Sequence, residues 1–274
     1  MDVKLIKMLL FFKILQGFGD LGDSIRYPLK WIYLGYIDVF LRYKRSILGP
    51  FWITISISLV ILVLSTLWPQ ILSIDLKFFV PYFAIGYILW HWFSSTIIEA
   101  SSSLSEFEGL IKQIKIPISA YLLRISLRNF LIFLHNSLLI LLVLIIFKCD
   151  VDIYNFLLIS IPSLLLLFIT LTSIGILISI ISVRYKDLTS IIGFIMQLLF
   201  FITPIIWHPD ILIKASIVVK YNLFYYWVDL IRQPLLGLEV NEYSLPVTLI
   251  SSIIFLLISA YVIGRYKKNI INWL

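Results

Sequence analysis

Arg42-Tyr-Lys-Arg45 sets three cations directly against 29 uncharged residues, Ser46 to Ile74. Cationic side chains facing lipid phosphate, followed by a long apolar run, mark the lip of a membrane span. Upstream, Ile25, Leu29, Ile32, Tyr33, Tyr36, Phe40, Tyr43 and Ile47 share one helical face, while Arg26, Lys30, Asp38, Arg42 and Arg45 lie mostly on the other. Trp31, Leu34 and Leu41 interrupt the polar side. The pattern predicts an amphipathic helix over 25–45, lying in the headgroup layer with its apolar side down. Anchoring is its simplest role; the more specific one is to deliver an anionic, lipid-linked headgroup to the span that follows.

A second chemistry is aromatic. Gly193, Gln197, Phe200, Pro204 and Trp207 fall at i, i+4, i+7, i+11 and i+14, a stripe of small, amide and ring side chains where lipid would call for Leu, Ile and Val. Helix packing also favours small and polar residues. The functional alternative is a conduit wall, with ring faces stacking on sugars. Phe51, Thr54, Ser58 and Ser65 repeat the pattern more weakly. Phe224, Tyr225, Tyr226 and Trp227 form a third cluster, of the kind found at a membrane–water boundary.

Catalytic chemistry is not legible. The sequence has no G-x-x-x-x-G-K-[ST] loop for ATP phosphates, no H-E-x-x-H, no cysteine pair and no nucleophile elbow. His91, His135 and His208 are far apart, so no metal site and no catalytic residue is expected. Gly17-Phe-Gly-Asp-Leu-Gly22 fits G-x-G-x-x-G, yet no strand precedes it, and a flexible turn within the N-terminal segment 1–24 is the expectation. Cys149 is the lone cysteine, which excludes an internal disulfide. Met8 to Phe12 is too short an apolar run for a secretory signal.

The elements that must position these side chains follow from the charges. With 61% hydrophobic and 14% charged residues, the chain reads as an integral membrane protein. Six uncharged gaps reach 18 residues or more: 46–74, 78–98, 129–147, 153–183, 188–209 and 243–264. Each can hold one helix across about 30 Å of hydrocarbon, giving spans near 47–72, 78–98, 129–147, 155–183, 188–207 and 244–264. The ten-residue alternation of a β-barrel is missing. Placing both termini in the cytoplasm leaves 17 of the 22 Lys and Arg residues inside and only Lys77, Lys148, Lys214, Lys220 and Arg232 outside, a strong positive-inside bias. The net charge of +7 then reflects topology and contact with anionic lipid, with no nucleic-acid partner implied. Between the fifth and sixth spans, residues 208–237 hold two apolar runs too short to cross, which predicts re-entrant helices. The fold class is all-α integral membrane: six transmembrane helices in a single domain over 1–274, with an N-terminal interfacial helix and re-entrant helices between spans 5 and 6.

The cytoplasmic segment between spans 2 and 3 carries Ser105-Glu-Phe-Glu108, the spacing of a capping box, with Leu110, Ile111 and Ile114 as an apolar face and Pro117 as a stop. No carboxylate sits deep in any predicted span, so coupling to an ion gradient is not expected and the driving force must come from a partner.

Arg42-Tyr-Lys-Arg-Ser-Ile-Leu-Gly-Pro-Phe-Trp52 resembles the start of the first span in permease subunits of ABC-2 type exporters of bacterial O-antigen and capsular polysaccharide. Length, six spans and basic preamble are similar too. The resemblance implies a homodimer in the bacterial inner membrane, carrying two copies of a cytoplasmic ATPase that binds the ATP and Mg, with no cofactor in this chain. It implies a substrate linked to undecaprenyl diphosphate, received by Arg26, Lys30, Arg42, Lys44 and Arg45, with the glycan passing Phe51, Thr54, Ser58, Gln197, Phe200 and Trp207. Residues 105–117 look like the coupling helix, with Glu106, Glu108, Leu110, Ile111, Lys112 and Lys115 docking on the ATPase. The helices of 208–237, with Phe224, Tyr225, Tyr226 and Trp227, look like an extracytoplasmic gate. An exporter of a small molecule or antibiotic has the same six spans, and a membrane-embedded glycosyltransferase would also want basic and aromatic residues, though no motif joins Asp150, Asp152, Asp210 and Asp229.

Overall fold

The computed structural model describes residues 3–44, 49, 51–72, 74–113, 116–209 and 216–274, without the side chains of 3–7, 9, 42, 43, 72, 216 and 271. Among the described residues the chain is helical. In order come α1 (Val3–Arg26), α2 (Pro28–Tyr43), α3 (Phe51–Leu72), α4 (Leu76–Glu106), α5 (Glu108–Gln113) and α6 (Ile118–Phe147). The short α7 (Ile153–Asn155) then runs through a π-helical turn at Phe156–Ser160 into α8 (Ile161–Arg184), followed by α9 (Leu188–Ile202), α10 (Ser216–Tyr221), α11 (Leu223–Leu235) and α12 (Ser244–Trp273). Four stretches are long and apolar enough to cross a membrane: α3, α6, the α7–α8 unit and α12. The six expected spans correspond to these together with α4 and α9, so the protein is a multi-pass membrane protein.

The bundle is built around α4, which is longer than its uncharged gap. Phe83, Ile85, Leu89 and Phe93 are fully enclosed by α6, α8, α9 and α11. Its sequence explains the central place. Thr96 donates to the Trp92 carbonyl (2.8 Å), Ser103 to that of Ala100 (2.7 Å) and Ser94 to that of Trp90 (2.8 Å), so these three hydroxyls are satisfied within the helix. Facing other protein costs such a helix less than facing lipid tails. By contrast α3 turns Leu59, Leu62 and Leu67 outward, as expected of a lipid-facing span.

Two expectations need correction at the N-terminal side. Gly17, Gly19 and Gly22 lie in the continuous helix α1, not in a flexible turn. Gly17 is needed because α1 crosses α12 there: a Cβ would overlap the Ala260 carbonyl, and one on Gly264 would overlap that of Lys13. Such close crossings are how membrane helices gain packing energy. Gly264→Val should therefore cut the yield of folded protein severalfold in detergent size-exclusion profiles, while Gly19→Ala, with nothing within 4 Å of the added carbon, should leave it unchanged.

The interfacial helix begins at Pro28 rather than at residue 25, because proline fixes its own φ and pushes Tyr27 out of the helical region. Leu29, Ile32, Tyr33, Tyr36 and Phe40 are exposed on one face. One residue that spoiled the amphipathic pattern has a reason: Trp31 donates to the Ser24 carbonyl (2.9 Å), and nearby Gly35 brings α2 against the backbone of Arg124 on α6. The helix thus has a third, protein-facing side.

The capping box at Ser105 does not form. Ser105 belongs to the last turn of α4, Phe107 closes that helix, and Glu108 pairs with Lys112 (2.5 Å). Likewise α6 starts at Ile118, eleven residues before its uncharged gap, with Pro117 as its N-cap residue. The fifth span is shorter than 188–207: α9 stops at Ile202, so at about 1.5 Å per residue its 15 residues cover only about 22 Å.

Candidate functional site

Two ends of the bundle can be told apart by their polar ties. At the end bearing α5, Asp20 of α1 is buried and accepts from the Ser119 amide (3.0 Å), the Ser119 hydroxyl (2.6 Å) and the Lys267 ammonium (2.6 Å). A carboxylate there satisfies amides left open at the start of α6. Nearby, Asp38 of α2 makes a bidentate pair with Arg124 (2.5 Å each), and Glu99 of α4 accepts from Arg128 (2.6 Å) and Asn129 (2.7 Å). Arg124 also stacks on Phe107, 4.6 Å from the ring centroid, just before α5. A chain of contacts therefore joins α5 to the interfacial helix through Phe107, Arg124 and Asp38.

On α5 itself Leu110 and Ile111 are half-buried against the cluster around Leu104 and Tyr121, while Lys112, and Glu106 at the end of α4, are exposed. Lys115 lies outside the described residues. Of the five cations singled out, Arg26 and Lys30 are exposed and flank Tyr27, at 5.8 and 5.0 Å from its ring centroid. Lys44 is exposed; Arg45 and the side chain of Arg42 lie outside the described residues.

Midway along the bundle, a cleft of about 380 Å³ opens between α4 and α9. Gly193, Gln197 and Phe200 line it from α9, and Tyr87, Trp90 and His91 from α4. Its described lining carries no Asp, Glu, Lys or Arg. Phe200 sits edge-on to Tyr87 (6.0 Å) and tilted to Trp90 (5.8 Å); Trp90 meets Phe224 (5.2 Å), which meets Trp227 (4.8 Å). An aromatic series thus runs from the cleft into α11. The sequence reading missed Tyr87, Trp90 and His91. Their signal was present, since Tyr87, Trp90, His91, Ser94 and Ile98 share a helical face, but a uniformly apolar run masked it.

Phe51, Thr54 and Ser58 are not in this cleft. Phe51 packs against His135 (5.2 Å) and Thr54 donates to Asn136 (2.8 Å), both on α6, while Ser58 donates to the Thr54 carbonyl (2.7 Å) within α3. Pro204 and Trp207 also leave the stripe, because the helix has ended. There the irregular backbone is held by side chains: Arg232 donates to the Pro204 carbonyl (2.8 Å) with its guanidinium 3.7 Å from the Tyr82 ring centroid. Tyr82 reaches the carbonyls of Pro204 (3.1 Å) and Trp207 (3.2 Å), and Asn222 donates to Thr203 (2.9 Å). Non-helical backbone at membrane depth needs such partners. Arg232, counted from sequence among the outside charges, is fully buried.

Around Arg232, α11 is enclosed by protein rather than lying on a surface. Phe224 and Trp227 face the core, whereas Tyr225 and Tyr226 face a separate cluster with Val219. Residues 210–215, the first part of the expected gate, lie outside the described residues.

The sequence profile of the ABC-2 type transporter family matches residues 32–236, which takes in the interfacial helix, the cleft and α11. The O-antigen export system permease protein RfbA of Myxococcus xanthus is 26% identical over 166 residues, 61% of this chain and 63% of that relative. The matched region therefore spans under two thirds of the relative's length. On the extent of the family match, the chain belongs to the ABC-2 type transporters.

Proposed function

We propose that the chain is the membrane-spanning subunit of an ATP-driven exporter that moves a lipid-linked polysaccharide, O-antigen or a related surface glycan on undecaprenyl diphosphate, across the bacterial inner membrane. It works as a homodimer with two copies of a cytoplasmic ATPase, with both termini in the cytoplasm. One observation carries the reading: an aromatic-walled cleft without Asp, Glu, Lys or Arg in its described lining, with an amide at its edge, is continuous through edge-to-face rings with the buried α11. Ring faces accept the C–H faces of sugars and tolerate their sequence, which suits a sliding polymer. Arg26 and Lys30 beside Tyr27 offer phosphate contacts at the interfacial helix. Similarity to an O-antigen export permease supports the substrate class.

The test uses the chain reconstituted with its co-encoded ATPase. Lipid-linked polysaccharide should stimulate ATP hydrolysis; stimulation by a small hydrophobic drug and none by glycan would favour the small-molecule exporter and overturn the proposal. Gly193→Trp gives a sharper expectation, because nothing lies within 4 Å of the new Cβ and the ring would fill the cleft without disturbing the backbone. Surface glycan should fall at least about tenfold at normal protein level, as for any blocked site of this size.

Cys149 provides a check on topology. Burial, and Asp150 beside it, push its thiol pKa up, so little thiolate exists near neutral pH and the fraction rises with pH. In spheroplasts an impermeant maleimide should label Cys149 slowly at pH 7 and several times faster at pH 9. Labelling only after the membrane is opened would invert the proposed orientation.

A further inference from the structure

At the end of the bundle opposite α5, a second cleft of about 610 Å³ is bounded by Tyr221, Tyr225, Tyr226, Asn241 and Tyr243. A pocket of about 450 Å³ adjoins it, sharing Tyr225, Asn241 and Tyr243 and adding Asp229, Gln233 and Glu242. Neither belongs to the α4–α9 cleft. Tyr221 and Tyr243 are exposed, at 79% and 59%, while Tyr225 and Tyr226 are buried.

The walls are fixed from beneath. Asp229, 1% exposed, accepts from Gln233 (3.0 Å), the Asn241 amide (3.0 Å) and the Ser244 hydroxyl (2.5 Å), which ties the loop before α12 to α11. Asn241 in turn accepts from the Tyr243 amide (2.9 Å), and Tyr226 donates to the Lys220 carbonyl (3.0 Å), holding the end of α10 that bears Tyr221. The buried Oε1 of Gln233 has no partner. Two exposed ring faces and an Asn side chain, on a frame fixed from beneath, match the two surfaces of a pyranose: an apolar C–H face and a rim of hydroxyls. Lys220 on the cleft and Glu239 and Glu242 on the adjoining pocket place both signs of charge at the rim.

We infer that this outer cleft is a second glycan subsite, which holds a stretch of the polysaccharide after it has passed the membrane. The inference rests on the export reading above and adds a place where the emerging chain is held against backsliding. A subsite fed from the conduit needs little affinity, because the polymer is already tethered nearby and its effective concentration is high.

The experiment uses the full chain with its ATPase, in cells that make their own surface polysaccharide, with benzoylphenylalanine placed singly at positions 200, 221, 243 and 141. After irradiation the purified chain is stained for periodate-reactive carbohydrate. A glycan ladder is expected at 200, 221 and 243 and none at 141, where Leu141 faces outward on α6. Capture at 200 alone overturns the outer subsite while the export reading stands. A blank at all four overturns both, and a covalent dimer from 221 or 243 in place of a ladder shows that protein fills the cleft. Independently, Tyr221→Ala and Tyr243→Ala should each slow export about three- to tenfold, the worth of one ring contact. Tyr221→Phe and Tyr243→Phe should restore it; failure of phenylalanine to rescue would sink the stacking role.

Discussion

Asp20→Ala will destabilise the protein more than any other single change at the α5 end. The buried carboxylate serves the Ser119 amide, the Ser119 hydroxyl and Lys267 at once. Lys267 is 49% exposed and can turn to water, so its share of the loss is small. The Ser119 hydroxyl keeps the Asp20 carbonyl (3.1 Å) and the Ser24 hydroxyl (2.8 Å), but the Ser119 amide has no other acceptor, and stranding it costs about 1–3 kcal/mol. Thermal unfolding in detergent should drop by roughly 3–8 °C on that basis. Asp20→Asn keeps an acceptor for the Ser119 amide and should lose less than half as much. Equal losses for Ala and Asn would mean that the charge, not the acceptor, matters. The consequence for transport is separate: with α6 no longer tied to α1, ATP hydrolysis should continue while surface glycan falls.

The second large effect is at Arg232. Its side chain is fully enclosed, stacked on Tyr82 and bonded to the Pro204 carbonyl. Arg232→Ala empties a large buried volume, and losses of this type run about 3–5 kcal/mol. Arg232→Met separates volume from polarity. Buried charges replaced by apolar groups of similar size often cost little or nothing, and here Nε already lacks a partner. The methionine variant should therefore unfold within a few degrees of wild type. Its backbone break after α9 is no longer pinned, however, so an extracellular dye or ion should leak through the complex. A tight Arg232→Met complex with normal export would show that Tyr82 and Asn222 hold the break unaided.

The outline of the fold was readable because charge is expensive in hydrocarbon and so punctuates the chain. All six uncharged gaps contain a helix, and the basic bias needs no structure to see. Their edges were not readable, for the same reason turned round. Arg124 and Arg128 looked like cytoplasmic residues; paired with Asp38 and Glu99, they ride in the first turns of α6 and let it start eleven residues early. Pairing across 86 residues of sequence leaves no local mark. Pro28 did leave one, and it outranks the hydrophobic periodicity that runs through it. Within the site, Gln197 and Phe200 stood out because an amide and a ring are rare on a lipid face, whereas Tyr87 and Trp90 sat among so many apolar neighbours that period alone could not single them out. Phe51 and Thr54 show the converse: a ring and a hydroxyl at helical spacing on α3 contact α6 and not the cleft.

In the proposed exporter, the brevity of α9 changes what a passing polymer would meet. Beside the cleft, the continuous apolar wall is about 22 Å tall where an ordinary crossing is about 30 Å. Water from the far side can reach correspondingly deeper. Fewer hydroxyl groups must then shed their hydration at any instant, and the toll of each step falls on a short segment of glycan however long the whole molecule is.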